Sequence, residues 1–158
     1  MKLKRLLFGL CFLGWVSGFF LSAKNYDYGD SSSNVLVTKA FEALDAEDWD
    51  ALDAYTKKCI LLYQTEARRM QKKWKEYPAA DIANSQWALN HVSCSHFLRG
   101  EMFEKQGKYH KAHEEYETCI QKYGFAQAWD PRQNAFWKVA EQARKNMARL
   151  EAEHAKEL

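Results

Sequence analysis

The stretch Leu98–Tyr123, LRGEMFEKQGKYHKAHEEYETCIQKY, decides the fold. It predicts two antiparallel helices joined by a tight turn at Gln106-Gly107. In its second half Tyr109, Ala112, Tyr116, Cys119, Ile120 and Tyr123 recur at three- and four-residue steps. That period puts one apolar stripe on one face and sets Lys111, Glu114, Glu115 and Gln121 opposite it. Gly100 and Ala112 are small where two helix backbones approach, and the aromatics Phe103 and Tyr116 stand beside them.

Gly100, Phe103, Ala112 and Tyr116 fall at the spacing G-x2-Y…A-x3-F, so this hairpin resembles a tetratricopeptide repeat. His96 and Arg99 occupy the positions where the pattern has Trp and Leu, and Gly124 the position where it has Pro. A shift of 60 residues lays Cys59, Ile60 and Tyr63 on Cys119, Ile120 and Tyr123, two copies of C-I-x-x-Y. The same shift brings Trp49 onto Tyr109, but the first copy is degenerate elsewhere, with Ala40 on Gly100, Ala43 on Phe103, Leu52 on Ala112 and Thr56 on Tyr116. Because the family repeats at ~34 residues, the excess falls to longer second and third helices around Pro78. The expected fold is therefore all-α. Antiparallel helical hairpins stack as a short TPR-like superhelix, with elongated central helices and a C-terminal capping helix.

In chain order, residues 1–23 stand apart. Met1-Lys2-Leu3-Lys4-Arg5 is basic, an uncharged run of 16 residues follows, and Leu21-Ser22-Ala23 offers a cleavage point. This segment is expected to be a signal peptide or an uncleaved signal anchor. Residues 24–33 lack any period and are expected to be a flexible spacer. The helical domain is then expected over 34–158. Its first helix is capped by Ser33 or Asn34 and carries an apolar face of Val37, Ala40, Phe41 and Leu44. A second helix is expected from Trp49 to Tyr77-Pro78, nearly thirty residues or roughly 43 Å at 1.5 Å per residue. A third helix begins near Asp81, a candidate N-cap, and is apolar on two sides, as a sandwiched helix must be. Gly124 is expected as a left-handed cap after the fourth helix. Asp130-Pro131 is expected to start the last helix, with Phe136, Val139, Ala140, Ala143, Met147 and Leu150 on its packed face. Beyond Leu150 the charged tail is expected to fray.

Charge narrows the function. Residues 1–23 hold three of the 23 basic residues and none of the 21 acidic ones, so the remainder carries 20 against 21, a net charge of −1. The basic balance belongs to the export segment and gives no support for nucleic-acid binding. Cys59, Cys94 and Cys119, an odd set, are expected as small residues filling helix contacts. No Gly-rich phosphate loop, G-x-S-x-G, H-E-x-x-H or paired C-x-x-C occurs, so no enzyme activity, cofactor or metal is expected. His110, His113, Glu114 and Glu117 share a flank, and their plain reading is a solvated polar face. The run Arg68–Lys75 is basic and reads as the solvated face of a long helix. Phe125, Trp129 and Trp137 read either as a partner patch or as a plug for the last helix.

The resemblance implies a groove lined by the first helix of each hairpin, which would place Phe97, Leu98, Glu101 and Lys105 toward a protein or peptide partner. The Lys/Asn set with which some members of that family grip a C-terminal carboxylate is not evident. The expected function is an exported interaction module, an adaptor or assembly factor of the cell envelope, periplasmic or secreted. A self-associating structural subunit is the alternative. Membrane contact is expected only through an uncleaved N-terminal segment.

Overall fold

The computed structural model describes residues 24–130, 134–156 and 158, so the expected export segment lies outside the described residues. Its elements are α1 (Ser33–Asp45), α2 (Trp49–Gln71), a short α3 (Ala80–Ala83) extended by a 3-10 turn, α4 (Trp87–Lys105) and α5 (Tyr109–Lys122). A two-stranded antiparallel hairpin, β1 (Gln127–Asp130) and β2 (Ala135–Lys138), then leads into α6 (Val139–His154). Over the described residues the protein is a helical bundle with one small hairpin. No helix among the described residues is long and apolar enough to cross a membrane.

α4 is the central helix, touching α1, α2, α5 and α6. Its two apolar sides explain this position. Ala88, Leu89, Val92 and Leu98 have no exposed surface, and Cys94, Phe97 and Met102 have almost none. α1 pairs with α2 through a turn in which Asp48 caps α2, its Oδ1 accepting the Ala51 N–H at 3.1 Å. α4 pairs with α5 through Gln106-Gly107, as expected. Gly107 has φ +67°, where a side chain would cost about 1–2 kcal/mol. The closest helix contact is made by Gly100, whose missing Cβ leaves room for the ring of Tyr116. The two C-I-x-x-Y segments sit in like surroundings. Cys59 and Cys119 are both fully buried, and Ile60 and Ile120 both half-buried. Cys59, Cys94 and Cys119 are free thiols in the core, and burial pushes all three toward the neutral form, Cys59 to about 11.

The fold differs from expectation at the element ends. α2 stops at Gln71, not at Tyr77-Pro78, because Trp74 turns away and donates its indole N–H to Gln86 Oε1 at 3.0 Å. Asp81 is not an N-cap. It lies in the first turn of α3, after Ala79, which makes no side-chain cap. Ser32, rather than Ser33 or Asn34, caps α1, and Leu36 and Ala43 replace Phe41 and Leu44 on its most buried stripe. Gly124 is not left-handed. It serves instead because a Cβ there would stand 2.9 Å from the Ile120 carbonyl oxygen.

The Asp130-Pro131 start signal fails altogether. Asp130 ends β1, Phe136 belongs to β2, and the last helix begins at Val139. Across the hairpin Ala128 pairs with Trp137 and Trp129 with Phe136. Strand alternation therefore sends Trp137 inward, 5.2 Å from the Phe97 ring, and leaves Trp129 outside, 48% exposed. Trp137 thus packs against the bundle as the plug reading expects, while Trp129 lies on the open face of the hairpin.

Residues 24–32 are no loose spacer. In an extended chain Tyr26 and Tyr28 point the same way, and both set ring edges on Tyr55 of α2, at 5.9 and 5.8 Å. Lys24 reaches Asp50 at 3.4 Å, Lys39 reaches Asp27 at 3.0 Å, and Tyr63 donates to the Ser31 carbonyl at 2.9 Å. The segment is a strap laid along α2, starting at the end where the helix turns lie.

Candidate functional site

Hairpin connectivity gathers the α1–α2 turn, the α4–α5 turn and the last turns of α6 at one end of the bundle. Between them lies a cleft of about 590 Å³ lined by residues of five helices and the α1–α2 turn. Asp45 and Glu47 form one wall, Trp49 and Tyr109 supply aromatic surface, and Glu101, Glu104 and Lys105 form the floor. Asn146, Arg149 and His154 of α6 close the far side. α6 is ordered one turn past Leu150, where fraying was expected, because His154 stacks on Tyr109 with centroids 3.6 Å apart and planes 14° from parallel.

The two carboxylates of the floor differ in state. Glu104 is held: the Tyr116 hydroxyl donates to it at 2.6 Å, and the Arg149 guanidinium donates to its other oxygen. Asn146 Nδ2 in turn donates to the Tyr116 oxygen at 3.0 Å. Glu101 is half-buried, and no hydrogen bond or salt bridge reaches it among the described residues. Burial, followed by the neighbouring Glu104 charge, raises its carboxyl from 4.5 to about 7, with Lys105 pulling weakly the other way. A carboxyl in this state gains most from a cation that enters the cleft.

Of the expected groove residues, the structure brings Glu101 and Lys105 into this cleft and removes the other two. Phe97 is 5% exposed, between Tyr116 and Trp137, and Leu98 has no exposed surface. The reason is the sandwiching of α4, whose middle turns are covered on all sides, so only its last turn can face a cavity. Glu104, Trp49, Tyr109 and Arg149 were missed. The signal for them was the pairing of two tight turns, which forces both hairpin ends to the same side.

Other chemistry-bearing clusters are structural. Arg99 bridges Asp53 and Glu115, each at 2.6 Å, while His96 reaches Glu115 at 2.7 Å and Lys57 reaches Asp53 at 2.7 Å. Burial opposes the Glu115 charge, yet the His96 and Arg99 contacts outweigh it and hold the carboxyl below its ordinary value. This network ties α2, α4 and α5 together. Ser33 Oγ lies 2.7 Å from His91 Nδ1, but Ser33 is 4% exposed, too enclosed for a substrate to reach, and burial lowers His91 to about 4. Cys94 is buried and His96 is turned to Glu115, so the two do not meet. His110 contacts Glu114 at 3.5 Å and His113 contacts Glu151 at 3.2 Å, which splits the histidine flank into two separate pairs. Comparison with protein-family models, with curated proteins and with solved structures finds no match to this chain.

Proposed function

We propose that the protein is an exported helical interaction module of TPR-like build, an adaptor or assembly factor of the cell envelope, whose cleft holds a basic segment of a partner. The observation that carries the reading is Glu101: a half-buried carboxyl without a partner among the described residues, on the floor of a cleft of about 590 Å³. Asp45 and Glu47 add acidic charge, while Arg149 answers Glu104, and Trp49 offers a ring face on which a lysine or arginine gains about 0.5–2 kcal/mol. An acidic cleft disfavours a partner's C-terminal carboxylate, consistent with the absence of a Lys/Asn clamp in the sequence. Two neighbouring carboxyls, one of them with its proton affinity raised, are also the equipment of acid–base catalysis. Glu104, however, is engaged by Tyr116 and Arg149, which favours holding over turnover.

The test is fluorescence anisotropy with the full-length chain in non-ionic detergent micelles, using labelled lysine-rich and glutamate-rich peptides of equal length. The lysine-rich peptide is expected to bind, and Glu101→Gln to weaken it about 10- to 100-fold, the worth of one charge-assisted contact. Equal binding of the two peptides, or none of either, overturns the reading.

A further inference from the structure

The end of the bundle opposite the cleft is basic. α2 runs 23 residues, roughly 34 Å, from Trp49 at the cleft to Gln71. At its far end Arg68, Arg69, Lys72, Lys73 and Lys75 are all exposed. Arg69 is paired with Glu66, but Lys72, Lys73 and Lys75 carry no salt bridge among the described residues. α2 thus starts beside the acidic residues Asp45 and Glu47 of the cleft and ends in basic ones. From this complementarity we infer that the occupant of the cleft is the basic turn Arg68–Lys75 of a second copy of this chain.

The inference rests on the reading of the cleft as a site for a basic segment, and it names that segment. The turn fits the role on three counts. It is exposed: α2 stops at Gln71, Trp74 folds back onto Gln86, and Lys72 and Lys73 face solvent. It presents several cations to a cleft holding Asp45, Glu47 and Glu101, the last unpartnered among the described residues. Its lysines can also lie over Trp49. Donor and acceptor sit at opposite ends of one molecule, so each copy has one of each to offer. Association therefore needs no second protein, and it gives either a closed antiparallel pair or an open row of copies.

The experiment uses the full-length chain in non-ionic detergent micelles, followed by sedimentation velocity and light scattering at low and high salt. Self-association at low salt, weakened at least tenfold at high salt, is expected. Lys72→Glu/Lys73→Glu removes the donor, and Asp45→Lys/Glu47→Lys removes acceptor charge at exposed positions. Each variant alone is expected to stay monomeric, and a mixture of the two is expected to restore a two-chain species through the one intact contact. Lys72→Gln/Lys73→Gln gives a second donor variant should the charge reversal fail to fold. A labelled peptide, RRMQKKWKEY (residues 68–77), is titrated into the donor variant to test the cleft separately. Peptide binding by a chain that never self-associates keeps the cleft reading and overturns this inference. Failure of both overturns both. Association that survives both charge changes places the contact elsewhere and overturns the inference alone.

Discussion

Replacing Gly100 with Ala sets two effects of opposite sign against each other, and the structure decides between them. In an open helix the change stabilises by about 1 kcal/mol, the difference in helix propensity. Here the new methyl would stand 2.7 Å from Cζ and 2.8 Å from Cδ1 of the Tyr116 ring, and still closer to Cε1. The ring cannot swing clear. Tyr116 is fully buried, its hydroxyl is fixed to Glu104 at 2.6 Å and to Asn146 at 3.0 Å, and Phe97 packs on it at 5.5 Å. Overpacking of this kind costs about 1–3 kcal/mol, and pulling the hydroxyl from a charged acceptor costs ~1.5–3 kcal/mol more. Set against the propensity gain, Gly100→Ala is expected to destabilise by about 1.5–5 kcal/mol. Urea unfolding followed by tryptophan fluorescence measures this directly. In a Tyr116→Phe background, where the ring is no longer tethered, the same change should cost at least 1 kcal/mol less. A gain in stability for Gly100→Ala would refute the contact and the packing of α4 on α5 derived from it.

Three further outcomes follow from the same geometry. Ala112 is fully buried and Lys111 exposed, so Ala112→Leu should lose about 1–3 kcal/mol in thermal melts while Lys111→Leu stays within ~0.5 kcal/mol. Arg99→Met leaves Asp53 to Lys57 and Glu115 to His96 and should cost about 1.5–3 kcal/mol, with some of the loss regained when Glu115→Gln is added, as a double-mutant cycle would show. Glu101 binds its proton more tightly when folded, so its contribution is fully present below pH 4.5 and is lost as pH rises through about 7. At ~1.4 kcal/mol per pH unit, stability should fall by about 3 kcal/mol over that window, and Glu101→Gln should flatten this fall in denaturation curves taken from pH 4 to 8.

What was legible in the sequence were the features carried by local spacing. Gly100, Ala112, Tyr116 and the Gln106-Gly107 turn could be placed because a helix repeats every 3.6 residues and a tight turn leaves few choices. The hairpin at Gln127–Lys138 was not legible, since four-residue strands give only two alternations and Asp130-Pro131 imitates a helix start. The end of α2 was equally hidden, because the bond from Trp74 to Gln86 is set by tertiary packing. For the cleft, Glu101 and Lys105 could be named only from the groove that the tetratricopeptide resemblance implies. Phe97 and Leu98 were misplaced because phase does not reveal how many neighbours cover a helix. The raised carboxyl of Glu101 depends on burial and on Glu104 together, which no single stretch of sequence contains.

The three core cysteines make this protein its own unfolding gauge. A maleimide or disulfide reagent attacks the thiolate, and the fold suppresses that species at Cys59, Cys94 and Cys119 by burying each sulfur away from both water and reagent. In a Cys11→Ser background, labelling then proceeds only through openings that expose the core. Because the three thiols sit on α2, α4 and α5, their separate labelling rates report whether those helices come away singly or all together. Equal rates at all three sites mark a single cooperative unit. A faster rate at Cys59 alone would locate the weakest seam between α2 and the rest.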